Sequence, residues 1–304
     1  MRATRQRGRG RVAPTAGLRP PPGASRRRRR IGRALLYVVL VLGAVPTMLP
    51  FVWLIRSALM NDNQIFIAPP EWIPRPFEWS NFTGALTAQP FGRYLLNTMI
   101  IEVLVVTGTV ATCSIAAFSF ARLRWRGRNV VFAILLSSVM LPYAVTLIPT
   151  FVMWRSLGAL DTFVPLTVPA FFGGAGGGVF NIFLLRQFFL TIPFELDEAA
   201  YIDGASPLRV FWSIILPLSR PALVVVTIFT FIGVWNDFLG PLLYLNDESK
   251  YTLALGLASF QSVYTAQWGY LMAASAAVIA PIIVLFFFLQ RYFIEGVTLT
   301  GIKS

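Results

Sequence analysis

The sequence predicts an all-α membrane protein of six spanning helices, and three observations lead there. Of 304 residues, 56% are apolar and only 13% are charged. A soluble domain carries roughly a quarter of its residues as charges. The apolar residues also gather into runs long enough for a helix to cross a bilayer. Finally, the basic residues are lopsided. With six crossings, twenty-one lysines and arginines fall on one side or its tails, and five fall on the other (Arg56, Arg75, Arg93, Arg155 and Lys250). That bias predicts cytoplasmic N- and C-termini.

Twelve of the 26 basic residues lie in the first 33 positions. This segment holds prolines, glycines and almost no large apolar side chains, so residues 1–33 are expected to be a disordered, basic, cytoplasmic N-terminus. Arg26 to Arg30 abut the first apolar run, where they hold the terminus inside and attract anionic membrane lipid. The net charge of +13 therefore reads as topology, with no nucleic acid expected as a partner.

The spans follow in order. Ala34 to Ile55 is too long for a signal-peptide core and is read as an uncleaved first span, kinked by Pro46 and Pro50. Residues 61–91 are polar and proline-rich, with Trp72 and Trp79 suited to a membrane interface and a short helix expected near Asn81 to Thr87. Asn97 to Phe120 is the second span, with Glu102 near its outer end. A short loop with Arg122, Arg124, Arg126 and Arg128 leads to the third span, Val130 to Phe151, broken at Pro142 and Pro149. Val164 to Phe189 is the fourth span. Its run Gly173 to Gly178 predicts a helix break or close helix packing. Ala222 to Leu245 and Gly269 to Phe293 complete the six-span domain, residues 34–294, with 295–304 as a cytoplasmic tail.

Composition removes several chemistries. The chain has no histidine and one cysteine, Cys113, in an apolar run. That leaves no internal disulfide, no Cys/His zinc site and no histidine base. No catalytic residue, metal or cofactor is expected. A phosphate-binding loop needs Gly-Lys-Ser/Thr, and the only lysines, Lys250 and Lys303, stand elsewhere. An energised activity would draw on hydrolysis by a separate subunit.

The informative stretch is the polar island between spans four and five, within a loop at 191–221. Glu195 to Ile202 reads as a short helix with acids in its first turn. Gly204 stands where a helix end wants positive φ, and Ser206-Pro207 reads as a cap followed by proline at the first helical position. Leu208, Phe211 and Ile215 form an apolar stripe on a second helix that Pro217 and Pro221 end. Ala199 and Ala200 are read as facing outward, small enough for a partner's backbone to approach.

Glu198-Ala199-Ala200, then Gly204, Ile214 and Leu216-Pro217, resemble at every spacing the EAA loop of binding-protein-dependent ABC importer permeases. The resemblance implies a type I permease fold in a bacterial inner (plasma) membrane. It also implies an ATPase-coupling role for Glu198, Ala199, Ala200, Asp203, Gly204, Ile214, Leu216 and Pro217. Trp235-Asn236-Asp237-Phe238, Pro241-Leu242, Tyr251-Thr252-Leu253 and the tail Gln290 to Phe293 are similar to the carbohydrate-uptake branch, of the maltose-permease G type. Such subunits pair with a second homologous permease, an ABC ATPase dimer and an extracellular sugar-binding protein, and pass a sugar substrate. Asn181, Trp235, Asn236 and Asp237 are the groups read as belonging to the solute pathway. Packing roles compete for them: Asp237 and Asn236 could bond to a neighbouring helix, and most buried tryptophans simply pack. Other readings are a permease for glycerol phosphate or oligopeptide, a membrane hydrolase, or a membrane protein without transport.

Overall fold

A computed structural model describes residues 24–174, 177–261 and 267–301. Most of the basic N-terminal segment, Ala175, Gly176 and Lys303 lie outside the described residues. The helices are α1 (Ala24–Ala58), α2 (Asp62–Ile65), α3 (Ser80–Ala88), α4 (Phe91–Arg122), α5 (Arg128–Ser138), α6 (Tyr143–Ser156), α7 (Val164–Thr167), α8 (Gly178–Thr191), α9 (Glu195–Ile202), α10 (Pro207–Val210), α11 (Leu216–Leu218), α12 (Arg220–Trp235), α13 (Leu239–Tyr244), α14 (Leu253–Ala258) and α15 (Trp268–Gly301). Among the described residues, three helices are long and apolar enough to cross a membrane, and up to six crossings arise when each sharply bent pair counts as one.

The chain divides into two compact units, 1–53 and 54–304. The first is the greater part of α1. Its apolar side chains from Ile31 onward, Leu35, Leu36 and Tyr37 among them, are exposed around the helix. A helix apolar on every face suits lipid. It begins at Ala24, earlier than the expected span. The run Arg26 to Arg30, expected as disordered, continues it because arginine is a good helix former.

In the second unit α4 is the central mast. It packs against α8, α12, α14 and the 3-10 turn Val168–Phe172. At one end Cys113, Ala117 and Ala121, four residues apart, present a narrow face to Ile182, Leu185 and Phe189 of α8. Small residues in that register let two helices approach closely. At the other end Phe91 and Tyr94 pack with Trp235, Phe260, Ala273 and Ala274. Asn97 locks that end by donating to the Ser249 and Tyr251 carbonyls at 2.9 and 3.0 Å.

Proline and glycine break two of the other crossings. Helices α5 and α6 meet at 95°, with Pro142 capping α6. Before α8, Gly173 and Gly177 take φ of 71° and 73°, which L-residues avoid. The fourth crossing is therefore broken, as the glycine run predicts. Glu102 differs from expectation: it is buried, and neither carboxylate oxygen has a hydrogen-bond partner. Helix α4 starts at Phe91 and not near Asn97, which draws Glu102 down into the packed body.

Asp161 ties the turn after α6 to the segment after α13. At φ 57° its carboxylate accepts from the backbone N–H groups of Asn246 and Asp247, both at 3.0 Å, and from the Lys250 ammonium at 2.5 Å. These groups, Lys250 first, hold its carboxyl down at about 2. Its folded value lies below the unfolded one, so the latch is whole above about pH 4 and is lost as pH falls toward about 2. Amide exchange at Asn246 and Asp247, relative to an unstructured peptide, should accelerate across that window. In Asp161→Asn it should be fast throughout.

Candidate functional site

The polar island folds as its residues dictate. Helix α9 closes in a Schellman motif: the Ala205 N–H donates to the Ala200 carbonyl at 2.9 Å and the Gly204 N–H to Tyr201 at 3.0 Å. Gly204 sits at φ 81°, with open space around its Cα. Ser206 Oγ then accepts the Arg209 N–H at 3.3 Å, and Pro207 takes the first helical position.

Proline 217 does not end this helix. A π turn, Phe211–Ile215, ends with the Leu216 N–H donating to the Phe211 carbonyl. The widened turn accommodates a proline that has no N–H to give. The helix runs on through Leu218 and turns by 79° into α12 beside Ser219.

The element has two faces. Val210, Phe211 and Ile215 are fully buried, with Ala200, Ile214 and Leu216 packed against the same cluster. The inward stripe thus uses Val210 where Leu208 was expected, and Ala200 turns in while Ala199 alone faces out. Glu198, Asp203, Gly204 and Pro217 are exposed. On the outward face stand Tyr201, Ile202, Leu208 and Trp212, with Ile202 86% exposed. These four side chains form an exposed apolar crest on an otherwise polar element.

Arg122, the last residue of α4, rivets the element to the helix body. One guanidinium nitrogen donates to the Phe189 and Ile192 carbonyls, both at 2.7 Å. Another lies 3.4 Å from Asp197 of α9, and the guanidinium sits 4.3 Å above the Phe194 ring. Both charged side chains are buried. Burial pushes the Asp197 carboxyl above the usual carboxylate range, against the pull of Arg122. The sequence alone points Arg122 to topology and the α9 acids, Asp197 among them, to the helix dipole; their pairing is visible only in the fold.

A second feature is a cavity of about 580 Å³ between α4, α8, α12 and α13. Asn181 and Asp237 both line it, with Thr98, Thr252 and the rings of Phe180 and Phe229. Asn181 donates to Thr230 Oγ1 at 3.3 Å. Asp237 sits in the break between α12 and α13, and its Oδ1 accepts the Gly240 N–H at 3.0 Å.

Trp235 and Asn236 are not brought to this cavity. Trp235 is buried, stacks on Phe231 and donates Nε1 to the Val278 carbonyl at 3.2 Å. Asn236 folds back on its own helix, donating to the Ile232 carbonyl at 2.8 Å. One residue of helix turns a side chain by about 100°, so neighbours of a cavity-lining acid face elsewhere. Spacing could have found the missed lining: Phe229 and Gly233 on α12, and Thr98, Ile101 and Val105 on α4, recur at helical intervals.

Comparison with known proteins follows the same outline. The profile of the binding-protein-dependent transport system inner membrane component family matches residues 108–298. The sn-glycerol-3-phosphate transport system permease protein UgpE of Yersinia pestis bv. Antiqua is 34% identical over 268 residues, covering 86% of this chain and 94% of that protein. The probable ABC transporter permease protein YurM of Bacillus subtilis is 33% identical over 283 residues, 92% and 91% of the two chains. The diacetylchitobiose uptake system permease protein NgcG of Streptomyces coelicolor is 30% identical over 267 residues, 85% of each. In fold, a chain of a bacterial ABC transporter that imports the acidic polysaccharide alginate superposes with a TM-score of 0.73 at 24% identity, covering 90% of this chain and all of that one. With its helix architecture and its EAA spacing, the chain belongs to the inner membrane components of binding-protein-dependent transport systems, the permeases of ABC importers.

Proposed function

We propose that this chain is one of two permease subunits in an ATP-driven importer of a sugar, and that its 195–217 element receives the push of an ATPase dimer. The observation that carries this reading is the exposed crest of Tyr201, Ile202, Leu208 and Trp212 on an element whose other face is locked into the helix body. A joint that transmits force needs both: a surface to be gripped and a rigid root. In this reading both termini and the crest are cytoplasmic, and Glu198, Ala199, Asp203 and Gly204 lie at the joint. The partners are the ATPase dimer, a second homologous permease and an external solute-binding protein. ATP closes the ATPase dimer, the two permeases' coupling helices approach, and the shared cavity opens outward to receive solute.

The solute class is argued from the cavity wall, and of the relatives' solutes the diacetylchitobiose of NgcG fits it. Among the lining residues Asp237 is the one ionisable group, and there is no cation. Hydroxyl and amide groups in one cavity with Phe180 and Phe229 suit a neutral, hydroxyl-bearing ring. A phosphate monoester would meet an acid with no counter-charge. The chain itself does no bond-making chemistry.

The test is ATP turnover of the purified complex with its binding protein, challenged with neutral sugars and with glycerol 3-phosphate. Sugar stimulation is expected, and stimulation by the phosphate alone would overturn the solute class. Gly204→Pro tests the joint. Proline fixes φ near −65°, far from the 81° found here. The variant should insert normally and lose uptake by an order of magnitude or more; wild-type uptake would remove the element from the mechanism.

A further inference from the structure

The link between α4 and α5 holds a pocket separate from the cavity that Asn181 and Asp237 line. It has a volume of about 340 Å³ and is lined by Arg124, Trp125, Gly127, Arg128, Asn129 and Val130. Its shape is fixed from below. Trp125 packs on Phe120 with centroids 5.7 Å apart, Phe120 packs on Phe132 at 5.2 Å, and Trp125 Nε1 donates to Ser119 Oγ at 3.2 Å. Gly127, at φ 85°, makes the sharp turn, and Arg128 Nη1 donates to the Leu123 carbonyl at 2.9 Å.

The charge here is uncompensated. Among the described residues the ion pairs are Arg122 with Asp197 and Lys250 with Asp161. Arg124, Arg126 and Arg128 therefore gather three positive charges with no carboxylate in contact. Leading away from the pocket, α5 exposes Val130, Val131 and Ile134 on its outer face. A cationic concavity, an indole at its edge and an apolar stripe beyond it are thus continuous on one surface.

We propose that this pocket binds the headgroup phosphate of an anionic phospholipid, whose acyl chains lie along Val130, Val131 and Ile134. A diacyl phospholipid uses every part of the feature. Its phosphodiester meets the guanidinium groups, its glycerol region meets the indole edge, and its chains cover apolar side chains that water would leave exposed. A soluble anion would use the arginines and leave the stripe bare. An acidic protein surface would have to reach a site flanked by lipid-facing helix. The proposal does not rest on the coupling or solute assignments.

Native mass spectrometry of the full-length chain, exchanged into detergent with phosphatidylglycerol or phosphatidylcholine, tests it. Phosphatidylglycerol should be retained and phosphatidylcholine stripped. Each arginine near an anionic lipid surface is worth about fivefold in binding, so Arg124→Gln with Arg128→Gln should lower retention about 25-fold. Arg124→Gln alone, at an exposed position that makes no internal bond, should lower it about fivefold. Arg155→Gln, on α6, should leave it unchanged. Equal retention of both lipids, wild-type retention in the Arg124 variant, or complete displacement of lipid by millimolar inorganic phosphate would each overturn the proposal.

Discussion

Arg122→Ala is expected to cut the chain's thermal stability steeply and to disconnect solute-stimulated ATP turnover from uptake. The guanidinium does three things at once: it pairs with Asp197, bonds the Phe189 and Ile192 carbonyls where α8 ends, and lies on Phe194. Removing it strands a buried carboxylate and takes a donor from two carbonyls, of which Phe189 keeps the Ile192 N–H. Breaking one side of a buried ion pair costs about 3–5 kcal/mol. Arg122→Lys should recover little, because a single ammonium lacks the planar fork that reaches carboxylate and carbonyls together. Arg122→Met combined with Asp197→Leu should recover much of the stability, since no buried charge is left alone. It should not recover coupling, because α9 is then no longer tied to α4. Recovered uptake in that double variant would show that the rivet serves folding only.

Gly178→Ala and Gly92→Ala should have opposite signs. A methyl at Gly178 would lie 2.2 Å from the Gly173 carbonyl oxygen, with backbone and not a flexible side chain in the way. The glycine break before α8 would have to open, moving Asn181 off the cavity wall. Such overpacking costs about 1–3 kcal/mol or more. A methyl at Gly92, exposed on α4, meets nothing within 4 Å and should stabilise by up to about 1 kcal/mol through helix propensity alone. Thermal unfolding of the two variants in one detergent decides the matter. Equal effects would mean that the break is held by something other than the close Gly173–Gly178 approach.

The residues that were legible in advance are those whose role is local. Ser206-Pro207, Gly204, the glycine run and the breaking of a span at Pro142 carry their geometry within a few positions of chain. Hydropathy located the crossings for the same reason. What was not legible depends on partners far away in sequence. Arg122 finds Asp197 only once α4 and α8 have packed, and nothing in either neighbourhood announces it. Which way a side chain faces at a helix end was equally hidden. Trp235 and Asp237 are two residues apart, yet one enters the core and the other the cavity, because α12 stops between them. On α10 too, Leu208 is exposed and Val210 buried two positions on, a facing that apolar spacing alone does not give.

Helix α4 contains no proline from Phe91 to Arg122, so about 38 Å of unbroken backbone hydrogen bonding joins Asn97, clasped to the Ser249 loop, to the guanidinium at its far end. A helix resists stretching along its axis far better than it resists bending. In the proposed mechanism a load applied to α9 would therefore arrive at the opposite rim as displacement, with Thr98, Ile101 and Val105 carried along as passengers on the cavity wall.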